Sequence, residues 1–414
     1  MQKSTSDGGT FKDGLLEVRY EYSPRLPVIL QQLNATLLVT TYQAGKLMVL
    51  GTHGGQLHIS FLDYDQPMGL AVSPLRIALG SRRQIHFFVP AHETQSRQQF
   101  HDGCFVPRSA FYTGTIHGHE LGWGRDGCWI VNTLFSCLST LHDDYSFVPR
   151  WRPPFVTELI DQDRCHLNGL ALEDGRPKYV TAMGQTDSAQ GWRLNKATGG
   201  SVLEVPSGQV ICDNLAMPHS PRLHGGQLWV LDSGHGTLNR LDVSSGKHEI
   251  VERLPGYTRG LSFCGQFAFV GLSKIRETSV FGGIPIADRR DELRCGIGVV
   301  ELISGNTVAV FQFHSGVSEI FAVEVLAGFS NPLFAGASVN QQDQEVWIVP
   351  NPSSSLPQIE KRLPLFYGRT FSELPPESGA FDSLSLQTST IHDSTHSAAT
   401  LVERGNLLQE QGNQ

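Results

Sequence analysis

Six segments of this 414-residue chain repeat one short pattern: Pro67–Val72, Gly118–Trp123, Leu167–Leu172, Pro218–Leu223, Thr258–Phe263 and Ser318–Val323. Matching positions lie 51, 49, 51, 40 and 60 residues apart. Repeats of that period, each rich in short strands, are the signature of a β-propeller, in which every repeat is a four-stranded blade around a central channel. One column of the pattern reads Met68, His119, Asn168, His219, Arg259, Glu319. Placed as the first residues of six innermost strands, these side chains ring the channel mouth, and five of the six are polar.

Blade 4 is the clearest. Its strands read Pro221–His224, Leu228–Asp232, Leu238–Val243 and His248–Arg253, with turns at Gly225-Gly226, Gly234–Gly236 and Ser244–Gly246. Blade 3 reads Leu170–Leu172, Lys178–Ala182, a stretch near Trp192–Leu194 and Val210–Asp213. The ends fit the same scheme. Glu319–Leu326 is an inner strand with no blade after it, and Leu37–Tyr42, Leu47–Gly51 and Leu57–Leu62 are outer strands with no inner strand before them. The expected fold is therefore all-β: a six-bladed propeller whose last blade joins three N-terminal outer strands to a C-terminal inner strand. Such closure removes exposed sheet edges.

The pattern divides the chain into a weakly structured start (1–20), the propeller (21–369) and a Ser-, Thr-, Gln- and Asn-rich tail (370–414) expected to be disordered. Two insertions interrupt the blades, one near 91–109 and one at 273–293. The second joins strands on the face where the inner strands begin, so it is expected to overhang the ringed mouth.

A net charge of −8, with no basic run, argues against nucleic acid and against an anionic membrane surface. The polar first residues are not expected to act as a signal peptide, and no run reaches the length of a spanning helix. Seven scattered cysteines, without a CxxC, read as reduced thiols, so the expected location is cytoplasmic.

The ring offers the chemistry. His119, Asn168, His219 and Glu319 are the donor types for one divalent metal ion. Arg259 can orient an anionic group. His166, two positions before Asn168, is the candidate proton carrier, and His117 and Tyr257 hold equivalent places. Arg276 opens the blade 5 insertion. Catalytic roles thus fall to His166 and Arg259, and ligand binding to His117, Asn168, Tyr257, Arg259 and Arg276. Gln185, Thr186, Asp187, Ser233, His235, Lys274 and Glu277 are further rim positions that turn formation and solvation also explain. GxxxxGK[ST], HExxH and GxSxG are absent from the chain.

Long blocks carry a resemblance: Tyr42–Lys46, Trp129–Thr133, Tyr145–Phe155, Asp163–Gly169, Met217–Arg222 and Phe281–Ile286. With them, residues from about 36 to 328 resemble a mostly bacterial family of conserved-hypothetical proteins defined by a domain of unknown function. Asn168-Gly169-Leu170-Ala171 and Leu228–Asp232 are more distantly similar to the gluconolactonase and regucalcin superfamily of six-bladed propellers. That likeness implies a divalent metal at the mouth and hydrolysis of lactones or esters, with Asn168 as a ligand. His219 stands where that pattern has Asp, and Met68 where it has a ligand. The expected function is a small-molecule site at the mouth, in its catalytic form a metal-dependent hydrolase. The alternative is a non-catalytic propeller that binds a protein or glycan partner through its rim loops.

Overall fold

The computed structural model describes residues 17–91, 100–275 and 282–335. In chain order, β1 is Tyr20–Tyr22, α1 Arg25–Leu33, β2 Ala35–Thr40, β3 Lys46–His53 and β4 Gln56–Asp63. Blade 1 follows as β5 Leu70–Ser73, β6 Arg76–Gly80, β7 Gln84–Pro90 and β8 Cys104–Tyr112. Blade 2 is β9 Gly118–Gly124, β10 Gly127–Asn132, β11 Cys137–His142 and β12 Tyr145–Trp151. Blade 3 is β13 Leu167–Glu173, β14 Arg176–Ala182, β15 Gly200–Glu204 and β16 Val210–Leu215. Blade 4 is β17 Pro218–His224, β18 Gln227–Asp232, β19 Thr237–Leu241 and β20 His248–Arg253. Blade 5 is β21 Tyr257–Cys264, β22 Phe267–Ser273, β23 Cys295–Glu301 and β24 Asn306–Phe313. Then come β25 Ala322–Ala327 and β26 Leu333–Phe334.

The sixth sheet runs β25-β2-β3-β4, so inner and outer strands of one blade come from opposite ends of the chain, as the sequence implies. Each inner strand touches the next, from β5 through β9, β13, β17, β21 and β25 back to β5, and the ring is closed. Two further strands lie outside the sixfold pattern. β1 extends blade 5 beyond β24, and β26 runs parallel to β8 on blade 1. Both neighbours of the closing blade therefore hold a terminal segment.

Strand alternation explains why every blade is apolar on both faces. In β10, Ile130 joins the core between blades 1 and 2, and the next residue, Val131, joins the core between blades 2 and 3. In β18, Val230 faces blade 3 and Leu231 faces blade 5. Side chains one residue apart point to opposite faces, so two sandwiched faces need two apolar sets. Burial of each such aliphatic side chain contributes roughly 1.5–3 kcal/mol. Helix α1 follows the same logic with a different period. Leu26, Ile29 and Leu30 are fully buried at i, i+3 and i+4 spacing and pack into the core between blades 5 and 6.

Hydroxyls at the ends of second strands join neighbouring blades. Thr40 Oγ1 donates to the Met68 carbonyl at 2.6 Å, Thr133 Oγ1 to Leu167 at 2.6 Å and Ser273 Oγ to Ile320 at 3.1 Å. Each fixes the start of the next inner strand, which is where the ring residues stand.

Two expectations change. Trp192–Leu194 is not a strand: it lies in a 3-10 helix, Gly191–Asn195, and β15 is the third strand of blade 3. Trp192 is instead buried beside the channel mouth. Part of the first insertion, from Cys104 on, is the start of β8. Residues 92–99 and 276–281, the tail from 370, and Arg276 and Glu277 lie outside the described residues. No helix among the described residues is long and apolar enough to cross a membrane. All seven cysteines are free thiols.

Candidate functional site

The ring residues stand at or near the starts of the inner strands. His119, Asn168 and His219 are the second residues of β9, β13 and β17, and Arg259 is the third of β21. The column after them explains how the strands converge. It reads Gly69, Glu120, Gly169, Ser220 and Gly260 in blades 1 to 5. A Cβ on Gly69 would lie 2.9 Å from Glu120 Cα, and one on Gly169 would lie 3.0 Å from the Ser220 nitrogen. Small residues let the strands approach this closely.

The same contact reveals a shift in the sixth blade. A Cβ on Gly260 would meet Ala322 Cα at 3.0 Å, so Ala322 occupies the column of Glu120 and Ser220. Phe321 therefore holds the ring position that the repeated pattern assigns to Glu319. His119, Asn168, His219, Arg259 and Phe321 together line the channel cavity, which has about 10 Å³ open to the centre of a water molecule, room for one. Glu319 lies two residues earlier, the place His117, His166 and Tyr257 hold in their blades, and its carboxylate is 3.7 Å from Arg259 Nη1. Met68 is buried and does not line the cavity.

Arg259 is held from two sides. Its guanidinium lies 3.3 Å from the Phe321 ring centroid, and Glu319 faces its Nη1. Burial lowers its pKa. The three imidazoles gather opposite. The His119 ring is 4.8 Å from His166, 5.2 Å from Phe321 and 6.4 Å from His117. Burial, then the charges of His166 and Arg259, hold the His119 pKa well below its usual value. Burial and Arg259 do the same for His219, and burial lowers the His117 pKa. These rings are neutral at pH 7, and each presents one donor and one acceptor nitrogen.

His219 has a fixed tautomer. Its Nδ1 is 2.9 Å from the Met217 carbonyl, which can only accept, so Nδ1 carries the proton and Nε2 the lone pair. Ser233 Oγ is also 2.9 Å away. Tyr257 is buried edge-on to His219 at 5.6 Å, with its hydroxyl 3.8 Å from Met217 Sδ. Burial raises its pKa. Asn168 Oδ1 accepts from Thr181 Oγ1 at 2.8 Å. Two nitrogens in the lining, His119 Nδ1 and Asn168 Nδ2, are buried and have no hydrogen-bond partner among the described residues. A buried donor without a partner costs about 1–3 kcal/mol, so both nitrogens are free to hydrogen-bond a group that enters the cavity.

Asp163 belongs to no recognisable catalytic motif. His166 Nδ1 lies 3.0 and 2.9 Å from its two carboxylate oxygens, and Trp192 Nε1 donates to the same carboxylate at 3.1 Å. The carboxylate orients the imidazole, and the indole packs beneath it at 4.4 Å. The described part of the blade 5 insertion forms the wall behind. Ile284, Ile286 and Leu293 cluster with Trp192, Met217 and Tyr257, and the Ile286 amide donates to the Gly234 carbonyl at 2.7 Å. Among the rim positions, Asp187 ties Thr157 to Arg164, and His235 binds Asp232 at 2.8 Å. These pairings shape loops.

Below the ring, three charged side chains were not expected. Arg222 pairs with Glu120 through Nη1 and with Glu324 through Nη2, the latter at 2.8 Å. Glu120 Oε2 accepts the Leu170 amide at 3.0 Å, and Ser262 Oγ donates to Glu324 at 3.1 Å. Burial outweighs Arg222 and raises both carboxyl pKa values, that of Glu120 to about 7. Among the described residues, no three His, Cys, Asp or Glu side chains converge as a metal site.

Fold and site together define a six-bladed β-propeller with a polar, histidine-rich channel mouth. The chain belongs to the family of the domain of unknown function DUF4915, whose model matches residues 24–334. No curated protein matches it. Among solved structures, a chain of a nidogen/laminin complex aligns at 13% identity and a TM-score of 0.46, over 71% of this chain and 99% of its own.

Proposed function

We propose that the channel mouth is a small-molecule site that takes one oxygen of a carboxylate or carbonyl group into the ring. The observation that carries this reading is the pair of unpartnered buried nitrogens, His119 Nδ1 and Asn168 Nδ2, in a lining that also holds Arg259. The cavity admits about one oxygen-sized group, so the body of the ligand stays above the ring, against His117, His166 and the rim. Neutral imidazoles and one guanidinium favour an anionic or strongly polarised head.

The reaction class that fits is hydrolysis of a lactone or ester. Arg259 faces the developing oxyanion, and His166, oriented by Asp163, takes the proton from water. His166 returns that proton to the leaving oxygen, so a lactone opens to one hydroxycarboxylate and an ester gives a carboxylate and an alcohol, and the same arginine holds the carboxylate. A metal-assisted form rests on the His219 tautomer, since an Nδ1–H tied to a carbonyl leaves Nε2 free to ligate. His119 and Asn168 would complete that set, and Glu319 would join it by leaving Arg259.

Metal content of protein purified without an affinity metal column, with His119→Ala and Glu319→Ala beside it, tests the metal. A near-stoichiometric ion lost in both variants supports it. Turnover of a lactone and ester panel, abolished in His166→Ala with the fold intact, supports hydrolysis. The partner-binding alternative predicts that His219→Ala has no effect and that deletion of 276–290 abolishes binding.

A further inference from the structure

The channel has a second opening, at the far ends of the inner strands. A cavity of about 260 Å³ lies there, and its lining includes the half-buried Val72, Trp123, Leu172 and Leu223 beside Arg222 and Glu324. Arg222 and Glu324 also line the upper cavity, so their ion pair stands between the two chambers. Among the described residues of this lower lining only these two are charged, one of each sign.

The pair keeps hydrogen-bonding capacity to spare. Arg222 Nη1 donates to the Leu170 and Pro221 carbonyls at 3.2 and 2.9 Å, and Nη2 donates to Glu324 Oε1 at 2.8 Å. Nε has no partner among the described residues. Glu324 Oε2 accepts from Ser262 Oγ at 3.1 Å, and each carboxylate oxygen has a further lone pair. Side-chain exposure of 19% for Arg222 and 17% for Glu324 leaves both within reach of a ligand. A donor beside an acceptor matches a hydroxyl, which accepts from the guanidinium and donates to the carboxylate while the ion pair stays whole. An anion would have to displace Glu324 from Arg222, and a cation would lie against the guanidinium.

We propose that this second mouth binds a neutral, polyhydroxylated ring of monosaccharide size, its hydroxyls on Arg222 and Glu324 and its C–H groups against Leu172, Leu223 and Trp123. The volume fits a single ring, because pockets for drug-sized ligands run from about 300 to 1,000 Å³. The site lies on the face opposite the upper ring and does not rest on the reaction assigned there.

NMR of the full chain with the tryptophan indole nitrogens labelled tests this directly, with Trp123→Phe to assign the resonance. D-glucose, D-glucosamine and D-glucuronate share one ring and differ in charge, and cyclohexanol keeps a six-membered ring with a single hydroxyl. The expected result is a saturable shift of the Trp123 indole with D-glucose, and binding about tenfold or more weaker for the other three. Leu172→Phe, which narrows the cavity without touching the ion pair, should abolish the shift. Glu324→Gln should weaken D-glucose binding about tenfold, with thermal unfolding as the check on folding. No saturable shift with D-glucose, equal or tighter binding of either charged sugar, equal binding of cyclohexanol, or a shift unchanged in Leu172→Phe would each overturn the proposal.

Discussion

His166 Nδ1 lies 2.9 Å from Asp163 Oδ2, and both residues have positive φ, 48° and 49°. Neither is glycine, so the left-handed backbone costs free energy and persists because contacts hold it. The carboxylate accepts from His166 and from Trp192 at once. Asp163→Ala should therefore destabilise the fold by about 1–3 kcal/mol, since it leaves two ring N–H groups unpaired. Asp163→Asn keeps the shape and should lose less. Urea unfolding of both variants measures the difference, and an Asp163→Asn variant as stable as the parent would remove the charge from the explanation.

Gly169 touches the next blade. An added Cβ would collide with Pro221 Cδ and Thr181 Oγ1, and neither can swing away as a long side chain can. Gly169→Ala should cost about 1–3 kcal/mol through overpacking. A thermal midpoint unchanged from that of the parent would show that the strands can separate at no cost.

Stability should depend on pH in two opposed ways. Glu120 has a folded pKa raised to about 7 from an ordinary 4.5. The folded state thus binds this proton more tightly, and the contribution is full below pH 4.5 and lost as pH rises through 7. His219 is held well below 6.5, so its contribution is present above pH 6.5 and lost as pH falls. The stability of the parent relative to Glu120→Gln should fall from pH 4.5 to 7. Its stability relative to His219→Gln should fall as pH drops below 6.5. Urea unfolding at several pH values reads both slopes, and a reversed sign in either contradicts the assigned environment.

Arg259 should not tolerate lysine. The guanidinium stacks on Phe321 while it faces Glu319, and an ammonium cannot keep the planar stack. Arg259→Lys should weaken binding of 4-hydroxybutyrate about tenfold or more, a loss of roughly 1.4 kcal/mol at least. Affinity equal to that of the parent would leave the arginine a purely structural role.

The sixfold pattern disclosed the architecture because each blade repeats one set of alternating faces, and that set survives in the spacing of Gly, Leu and Val. Closure of the last blade was legible for the same reason. Residues that break the pattern were harder to place. Glu319 took the place of Phe321 because the repeated pattern does not register a two-residue shift in blade 6. The column after the ring held a usable sign: three glycines, a serine and one Glu, where a buried charge at Glu120 implies a partner. Arg222 lies one blade further on and Glu324 beyond that, so no local spacing connects them. Asp163 stands three residues before His166, and only the loop fold turns the two toward each other. Trp192 was read as part of a strand because its aromatic and aliphatic neighbours suit one, and the structure uses it in a 3-10 turn to support the imidazole.

The most direct measurement is histidine NMR, with the imidazole carbons labelled, during titration with 4-hydroxybutyrate. Variants His119→Asn and His219→Gln assign the resonances. A small-anion site at the ring predicts saturable shifts of both residues in the parent chain and none in Arg259→Gln. Shifts that are absent in the parent, or that persist unchanged in Arg259→Gln, would contradict it.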